Sequence, residues 1–389
     1  MRLVIAGGGT GGHLFPGLAI AEELLGRGDE HSVLFLGARG GLEERVVSRY
    51  GYRLELLPSL KGGLFSADFP RKTLRLCRGY LQARKAILGF NAQAVVGLGG
   101  YASALPVLAS WGVEVPCMIL EQNAIPGRTT RRLAGFANEI GVQFIEAASR
   151  LARPGKVKFV GNPLRRKVLE ASLEATRRNT AAKAAPEEPE LLVLGGSQGA
   201  RFLNEILITA WPKLKKALPG LRVTLVSGTE DEARASEAFA AAGVRGKVLA
   251  FHDAMEELYA QAGVVLARAG ATSLAEIAAF ALPSILIPYP HAADDHQTAN
   301  ARAFSAAGAS WTLFQKGLSV DRLVQRIADA VLQPERRRRM ANAAAKLAKP
   351  YAAADVVDRL ERLTGARAFK TPPRAMPPIG PEAVQAGVA

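Results

Sequence analysis

The sequence predicts an α/β protein of two doubly wound parallel-sheet domains facing each other across a cleft. Three observations point there. The chain has 389 residues with 49% hydrophobic content, more than one core serves, since single cores stop growing near roughly 250 to 300 residues. Short apolar runs alternate with amphipathic stretches along most of the length. Each half also opens on the same plan of strand, glycine-rich turn and helix, RLVIAGGGTGGHLFPGLA in the first and LLVLGGSQGARFLN in the second.

In the first half, Leu3 to Ala6, Val33 to Leu36, Ala94 to Leu98 and Cys117 to Leu120 read as strands separated by helix-like segments, the pattern of a parallel sheet with helices on its faces. The turn Gly7 to His13 enters a helix marked by Leu14, Leu18, Ala21 and Leu25. Past Pro163 the chain becomes charged and alanine-rich, and Thr176 to Glu190 holds two prolines and little to bury. A first domain at 1–165, a linker at 166–190 and a second domain at 191–350 are therefore expected. Strands of the second are expected at Leu191 to Leu194, Arg222 to Val226, Lys247 to Ala250, Val264 to Ala267 and Ser284 to Ile287. A helix at 351–365 is expected to pack back toward the first domain. The Pro- and Ala-rich stretch 366–389 has almost no pattern and is expected to be disordered.

Composition narrows the function. Cys77 and Cys117 cannot build a disulfide framework and have no neighbouring histidines, which fits a reducing compartment. No basic-then-apolar leader opens the chain. No apolar stretch reaches the ~18 to 20 residues of a spanning helix; the best, near Ile277 to Pro290, is cut by Pro283 and Pro288. A soluble or peripheral protein is expected. With 50 Lys+Arg against 35 Asp+Glu the net charge is +15, so the surface favours polyanions. Only 6% of residues are aromatic and no nucleic-acid motif occurs. Anionic lipid and phosphorylated substrates therefore lead, and no nucleic-acid partner is expected.

The chemistry-bearing residues cluster at glycine turns. Gly7, Gly9 and Gly12 satisfy G-x-G-x-x-G, a pattern whose backbone N–H groups can meet an anion at a helix start. A dinucleotide site wants an acidic residue after the second strand, but VLFLGARGG supplies Arg39, leaving only an NADP-type variant. His13 at the tip of the turn is either a helix-entry residue or a general base, with a reference pKa of ~6.5. Ser197 in GGSQGA (Gly195 to Ala200) could hold a pyrophosphate or sit in a plain tight turn. GLGGYAS, Gly97 to Ser103, is a third glycine turn. Glu276, inside the apolar ATSLAEIAAFA, is either a solvated face residue or an acceptor for two ribose hydroxyls. His291, His296 and Gln297 suit sugar hydroxyls. Asp294 and Asp295 form no strand-end D-x-D pair, and Glu230 to Glu232 reads as an exposed acidic turn, so no metal is expected.

Taken in order, GGGTGGH, GLGGYASALP, LEQNAIPG, VGNPLR, GGSQGA, RAGATSLAE and PHAADDHQTANA resemble the bacterial MurG-type N-acetylglucosaminyltransferases of the GT-B superfamily, over residues 1 to about 364. The resemblance implies two Rossmann-like domains, with the acceptor on the first and the donor nucleotide on the second. It implies that Thr10, Gly11 and Gly12 lie beside the substrate phosphates, that His13 is the base, and that Tyr101 and Glu121 share the catalytic cleft with Asn123, which also reaches the donor sugar. Arg165 and Ser197 would approach UDP, the backbone of His252 the uracil, and Ala271, Thr272, Ser273, Leu274, Ala275 and Glu276 the diphosphate and ribose. Gln297, with His296 beside it, would read the sugar hydroxyls. His252 stands where a smaller apolar residue is usual, and His296 where some members carry glutamine.

The implied reaction is an inverting transfer of N-acetylglucosamine from UDP-N-acetylglucosamine to the 4-hydroxyl of undecaprenyl-diphospho-N-acetylmuramyl-pentapeptide, lipid I to lipid II of peptidoglycan synthesis. It uses no metal and no cofactor, with His13 as base and glycine turns and helix ends neutralising departing UDP. The expected location is peripheral, on the cytoplasmic face of the inner membrane, with anionic lipid and cell-wall synthesis proteins as partners. Lys61 to Lys85, which includes Lys72, Leu74, Arg75 and Tyr80, mixes basic and apolar residues and is expected to dock on the membrane; the alternative is an ordinary amphipathic helix. Competing functions are an NADP-dependent oxidoreductase, a non-hydrolysing UDP-sugar epimerase of the same fold, and a non-catalytic polyanion-binding protein.

Overall fold

The computed structural model describes residues 1–58, 69–181, 190–195 and 201–365. Two compact units divide the chain: Met1–Arg166 joined by the segment that starts at Lys349, and Lys167–Ala348.

The first unit holds seven strands: β1 Arg2–Ala6, β2 Ser32–Ala38, β3 Arg53–Leu57, β4 Ala94–Gly97, β5 Cys117–Glu121, β6 Glu139–Val142 and β7 Val157–Phe159. They form one sheet in the order β3-β2-β1-β4-β5-β6-β7, and every pairing is parallel. Because side chains alternate along a strand, β1 feeds two cores. Leu3 and Ile5 pack with Leu14, Leu18 and Leu24 of helix α1 (Gly11–Leu25) and with Val356, Val357 and Leu360 of the last helix, α14 (Ala352–Leu363). Val4 and Ala6 face the other way, toward Ala83 and Ile87 of α3 (Phe69–Gly89) and Val107 of α4 (Ala104–Gly112). Between these elements lie α2 (Leu42–Arg49) and α5 (Arg128–Leu133). Arg27, at the end of α1, pairs with Asp358 at 2.6 Å and Glu361 at 3.2 Å, which ties α14 to the first unit.

In the second unit, β8 Glu190–Leu194, β9 Arg222–Val226, β10 Arg245–Leu249, β11 Ala262–Ala267, β12 Ser284–Leu286 and β13 Ser310–Thr312 run in the order β10-β9-β8-β11-β12-β13. This is the Rossmann order, and its direction reverses between β8 and β11. Leu191 and Val193 pack on Leu203, Leu207 and Trp211 of α7 (Arg201–Ala217) and on Leu323 and Ile327 of α12 (Val320–Leu332). The remaining helices are α8 (Glu232–Ala241), α9 (Met255–Gln261), α10 (Ala271–Ala279), α11 (His296–Ala306) and α13 (Pro334–Leu347).

Three expectations change. The 166–190 stretch is no plain linker, because Arg166–Ala181 forms helix α6; Val168, Ser172 and Ala175, spaced four and three apart, are buried, the signature of one helix face. Residues 182–189 lie outside the described residues. The acidic run at Glu230 is more than an exposed turn, since Asp231 accepts from Asn204 Nδ2 at 2.8 Å and from Arg234; the Asn204 hydrogen bond leads in holding its carboxyl below the usual range. Tyr80, expected on the membrane-docking face, is half-buried. It packs on the inner core, close enough to α4 that a Cβ on Gly112 would meet its hydroxyl at 2.4 Å.

Candidate functional site

In the first sheet the order reverses between β1 and β4, so the loops leaving their C-terminal ends diverge and open a crevice where open α/β sheets bind ligands. The glycine turn after β1 and the one after β4 meet there. Gly99 and Gly100 adopt φ of +86° and +69°, and side chains at these positions would meet the ring of His13 at 3.3 Å and 3.7 Å. The left-handed backbone thus favours glycine at both positions, and at Gly99 a side chain would also crowd the imidazole. Thr10 starts α1 by accepting the N–H groups of His13 and Leu14 at 3.2 and 3.1 Å, and its hydroxyl lies 3.0 Å from His13 Nδ1. Thr10 and Gly12 are exposed, while Gly11 is buried under Phe15. Arg165 lays its guanidinium 4.7 Å over that Phe15 ring, which brings it to the same end of α1. Tyr101 packs its ring on Gly9, and its buried hydroxyl has no hydrogen-bond partner among the described residues.

Two N–H groups of the turn are engaged within the protein. Gly7 N–H donates to Leu36 O at 3.1 Å and Gly9 N–H to Glu43 Oε2 at 2.9 Å. The anion at Gly9 is the chain's own carboxylate, on a residue that lies 34 positions away in sequence and so outside the motif.

Glu121 ends β5 and is buried, and its oxygens serve its own loop: Oε1 accepts from Asn123 N–H at 3.0 Å and Oε2 from Gly127 N–H at 2.9 Å. Burial pushes its carboxyl upward, and the Thr130 hydroxyl with these N–H groups opposes the shift. Asn123 Nδ2 is 3.4 Å from the same carboxylate. This pair holds the shape of the QNAIPG loop. Gln122, also missed, donates to Leu98 O at 3.1 Å and so links the β5 loop to the β4 turn.

In the second unit the corresponding reversal lies between β8 and β11. Ser197 lies outside the described residues. After β11 the chain enters α10 at Gly270, with no side-chain cap, so Ala271, Thr272 and Ser273 form a first turn at the positive end of the helix dipole; Leu274, Ala275 and Glu276 follow. Glu276 is 9% exposed, which removes the solvated-face alternative, and its Oε2 accepts from Tyr259 OH at 2.9 Å. Tyr259 is itself stacked on Phe280 with centroids 5.4 Å apart. His252 lies in the loop that precedes α9, with Nε2 3.5 Å from Glu257 Oε2 on that helix.

Arg268 was not singled out from RAGATSLAE, although a cation closing an apolar strand is a signal. Its guanidinium donates to Ile287 O at 3.0 Å, Pro288 O at 3.2 Å and Gln315 Oε1 at 2.9 Å. It lies 5.6 Å from the Tyr289 ring, and burial lowers its pKa to about 10. Gln297 belongs to the same group, because its Oε1 accepts from Tyr289 N–H at 2.9 Å, leaving the NH₂ end as donor. His296 donates from Nδ1 to Ala293 O at 2.7 Å, so its Nε2 is the acceptor in the neutral ring. Among the described residues, no His, Cys, Asp or Glu group is arranged to hold a metal ion.

Two doubly wound parallel sheets, the first with glycine turns at its point of reversal, place the chain in the GT-B class of glycosyltransferase folds. The sequence matches the glycosyltransferase family 28 N-terminal domain over residues 3–142 and the family 28 C-terminal domain over residues 190–357. The chain belongs to glycosyltransferase family 28. It is 42% identical over 364 residues to the UDP-N-acetylglucosamine--N-acetylmuramyl-(pentapeptide) pyrophosphoryl-undecaprenol N-acetylglucosamine transferase of Geobacter sulfurreducens, covering 92% of this chain and 98% of that one. The protein of the same name from Anaeromyxobacter dehalogenans strain 2CP-C is 41% identical over 361 residues, 92% of each chain. Among solved structures, MurG of Acinetobacter baumannii superposes with a TM-score of 0.73 at 26% identity, covering 93% of this chain and 99% of that chain. A UDP-GlcNAc 2-epimerase from Neisseria meningitidis bound to UDP-GlcNAc aligns with a TM-score of 0.63 at 12% identity, over 93% and 100%, a likeness of fold alone.

Proposed function

We infer that this chain transfers N-acetylglucosamine from UDP-N-acetylglucosamine to the lipid-linked muramyl-pentapeptide, converting lipid I to lipid II. The observation that carries the inference is 42% identity over 92% of the chain with a transferase named for that reaction. The epimerase alternative shares the fold at low identity and is not favoured. The site geometry supports an inverting displacement. In the tautomer whose Nδ1–H donates to Thr10 Oγ1, His13 takes the proton of the acceptor's 4-hydroxyl on Nε2. That oxygen then attacks the anomeric carbon opposite the UDP oxygen, whose bond to the sugar breaks. On this reading the first unit carries acceptor and base, and the second carries the donor. The start of α10 and the Arg268 cation favour the negative charge that builds on UDP, Glu276 takes the ribose hydroxyls, and Gln297 donates to the sugar.

The enzyme acts as a peripheral protein at the cytoplasmic face of the inner membrane, where a soluble nucleotide sugar meets a lipid-anchored acceptor. No helix of the described residues is long and apolar enough to cross a membrane. Leu74, Leu81 and Leu88 of α3 are 52%, 59% and 45% exposed and recur every seven residues, hence on one face. Arg75, Arg78, Arg84 and Lys85 are exposed around them. Anionic lipid headgroups match that mixture. The side chain of Lys72 lies outside the described residues, as do Lys61 to Asp68.

The deciding assay incubates radiolabelled UDP-N-acetylglucosamine with lipid I and extracts the lipid product. Label in lipid II from the parent, reduced ~10² to 10⁴-fold in turnover by His13→Ala, is expected. No transfer by the parent, or full turnover by the variant, defeats the function or the role of His13 respectively.

A further inference from the structure

Glu43 lies in the first turn of α2 and is 1% exposed, yet no cation pairs with it among the described residues. Its Oε1 accepts from Ala38 N–H at 2.8 Å and its Oε2 from Gly9 N–H at 2.9 Å. Three glycines make the space it fills. A Cβ on Gly8 or on Gly41 would lie 2.4 Å from Glu43 Cδ, and one on Gly37 would lie 2.4 Å from its Cγ. Those separations are never seen between real atoms, so any side chain at these positions evicts the carboxylate or shifts the backbone. An unpaired buried charge is costly to stability. Its retention therefore calls for a use beyond packing, and its ligand identifies one: Gly9 immediately precedes Thr10, the residue that starts α1 and holds His13.

We propose that Glu43 is a positioning residue for the transfer: an internal anion seated in the glycine-rich turn, where a nucleotide phosphate would otherwise bind, that fixes Gly9 and through it the Thr10–His13 pair. The proposal rests on the reading of His13 as the base. It explains why GGGTGGH follows a phosphate-binding spacing while its Gly9 N–H is already taken, and why the β2 turn carries Gly37 and Gly41. A phosphate brought to Gly9 would meet a carboxylate, so the turn shapes the acceptor side and leaves donor phosphates to the second unit.

Glu43→Gln keeps the volume but turns an NH₂ group toward one of two N–H donors, so one hydrogen bond is lost and the turn loosens. Steady-state kinetics on the full chain should show kcat reduced about 10- to 100-fold, the cost of a misplaced catalytic group, with KM for UDP-N-acetylglucosamine within about 2-fold of the parent. Hydrogen exchange of the Leu3 to Leu14 peptide, without substrate, should speed up in the variant while thermal melting shows it folded at the assay temperature. Gly37→Ala supplies an independent arm. It pushes on Glu43 from β2 and should reproduce the kcat loss in the parent, but should add at most about 2-fold in a Glu43→Ala background, where the 2.4 Å contact with Cγ is gone and only the Cβ at 3.3 Å remains. Parental kcat in Glu43→Gln, a kcat loss equal to the unfolded fraction, or additive effects of Gly37→Ala and Glu43→Ala would each overturn the proposal. His13→Ala is measured alongside. If it retains turnover, the reading of His13 falls and takes the proposal with it; if it loses turnover while Glu43→Gln does not, only the proposal falls.

Discussion

At Glu276 an acidic side chain enters a helix whose neighbours Leu274, Ile277 and Ala278 are buried, and only a specific partner makes that placement tolerable. Tyr259 OH is such a partner, orienting one oxygen of the carboxylate proposed to accept ribose hydroxyls. Hydrogen bonds to a charged group are worth ~1.5 to 3 kcal/mol each, so Glu276→Ala is expected to raise KM for the donor at least ~10-fold, with a smaller rise for Tyr259→Phe. Unaltered donor KM in both variants would take Glu276 out of the nucleotide site. Glu121 gives a pH prediction. Burial raises its folded pKa above the unfolded one, so the folded state binds its proton more readily. Its contribution to stability is fully present below the ordinary carboxylate pKa and is lost as pH rises through the raised one. Denaturant unfolding of the parent and of Glu121→Gln should therefore show the parent gaining relative to the variant as pH is lowered from 7 into the carboxylate range. A difference that stays flat with pH contradicts the raised value. At this scale the sequence exposed the unusual residue types, His13, Glu276 and Gln297. Glu43, Tyr259 and Arg268 escaped because each is defined by what it touches.

Helix α3 shows the same division one level up. Its basic and apolar mixture is visible in the sequence, but which apolar residues face outward depends on where α4 lies: Ala83, Ala86 and Ile87 go into the core, Tyr80 turns toward Gly112, and Leu74, Leu81 and Leu88 are left exposed. Each Lys or Arg near an anionic leaflet contributes ~1 kcal/mol, so Arg75→Glu/Arg78→Glu/Lys85→Glu should lose co-sedimentation with anionic vesicles, and Leu74→Ser/Leu81→Ser should lose it even at low salt. Tyr80→Phe should bind like the parent. Equal vesicle binding by all four proteins would place attachment on another surface. Trp111, at the end of α4, is 61% exposed with its ring edge on Phe136 at 5.2 Å. Strands β3, β6, β7 and β13 were not anticipated; β3, β7 and β13 lie at sheet edges, β6 has four residues and β7 and β13 only three each, so pairing with a neighbour rather than local propensity makes them.

For the molecule as a whole, the proposed donor site draws its positive charge from Arg268 and the start of α10, so turnover is expected to be unchanged by EDTA. Loss of activity in EDTA that added Mg²⁺ restores would require a metal at the diphosphate instead. The sequence by itself determined the fold class and the transferase family, because alternating strands and helices and two glycine turns are local patterns, written in residues near one another. It also placed most strands of both sheets, whose apolar runs need no partner to be recognised. The tertiary structure alone decided that the first glycine turn holds Glu43, that α14 returns to the first unit through Val356, Val357 and Leu360, and that a half-buried arginine stands between β11 and the strand-end carbonyls of Ile287 and Pro288. Those facts depend on contacts between residues tens to hundreds of positions apart, and a buried charge shows its purpose only when the groups that solvate it in place of water are seen.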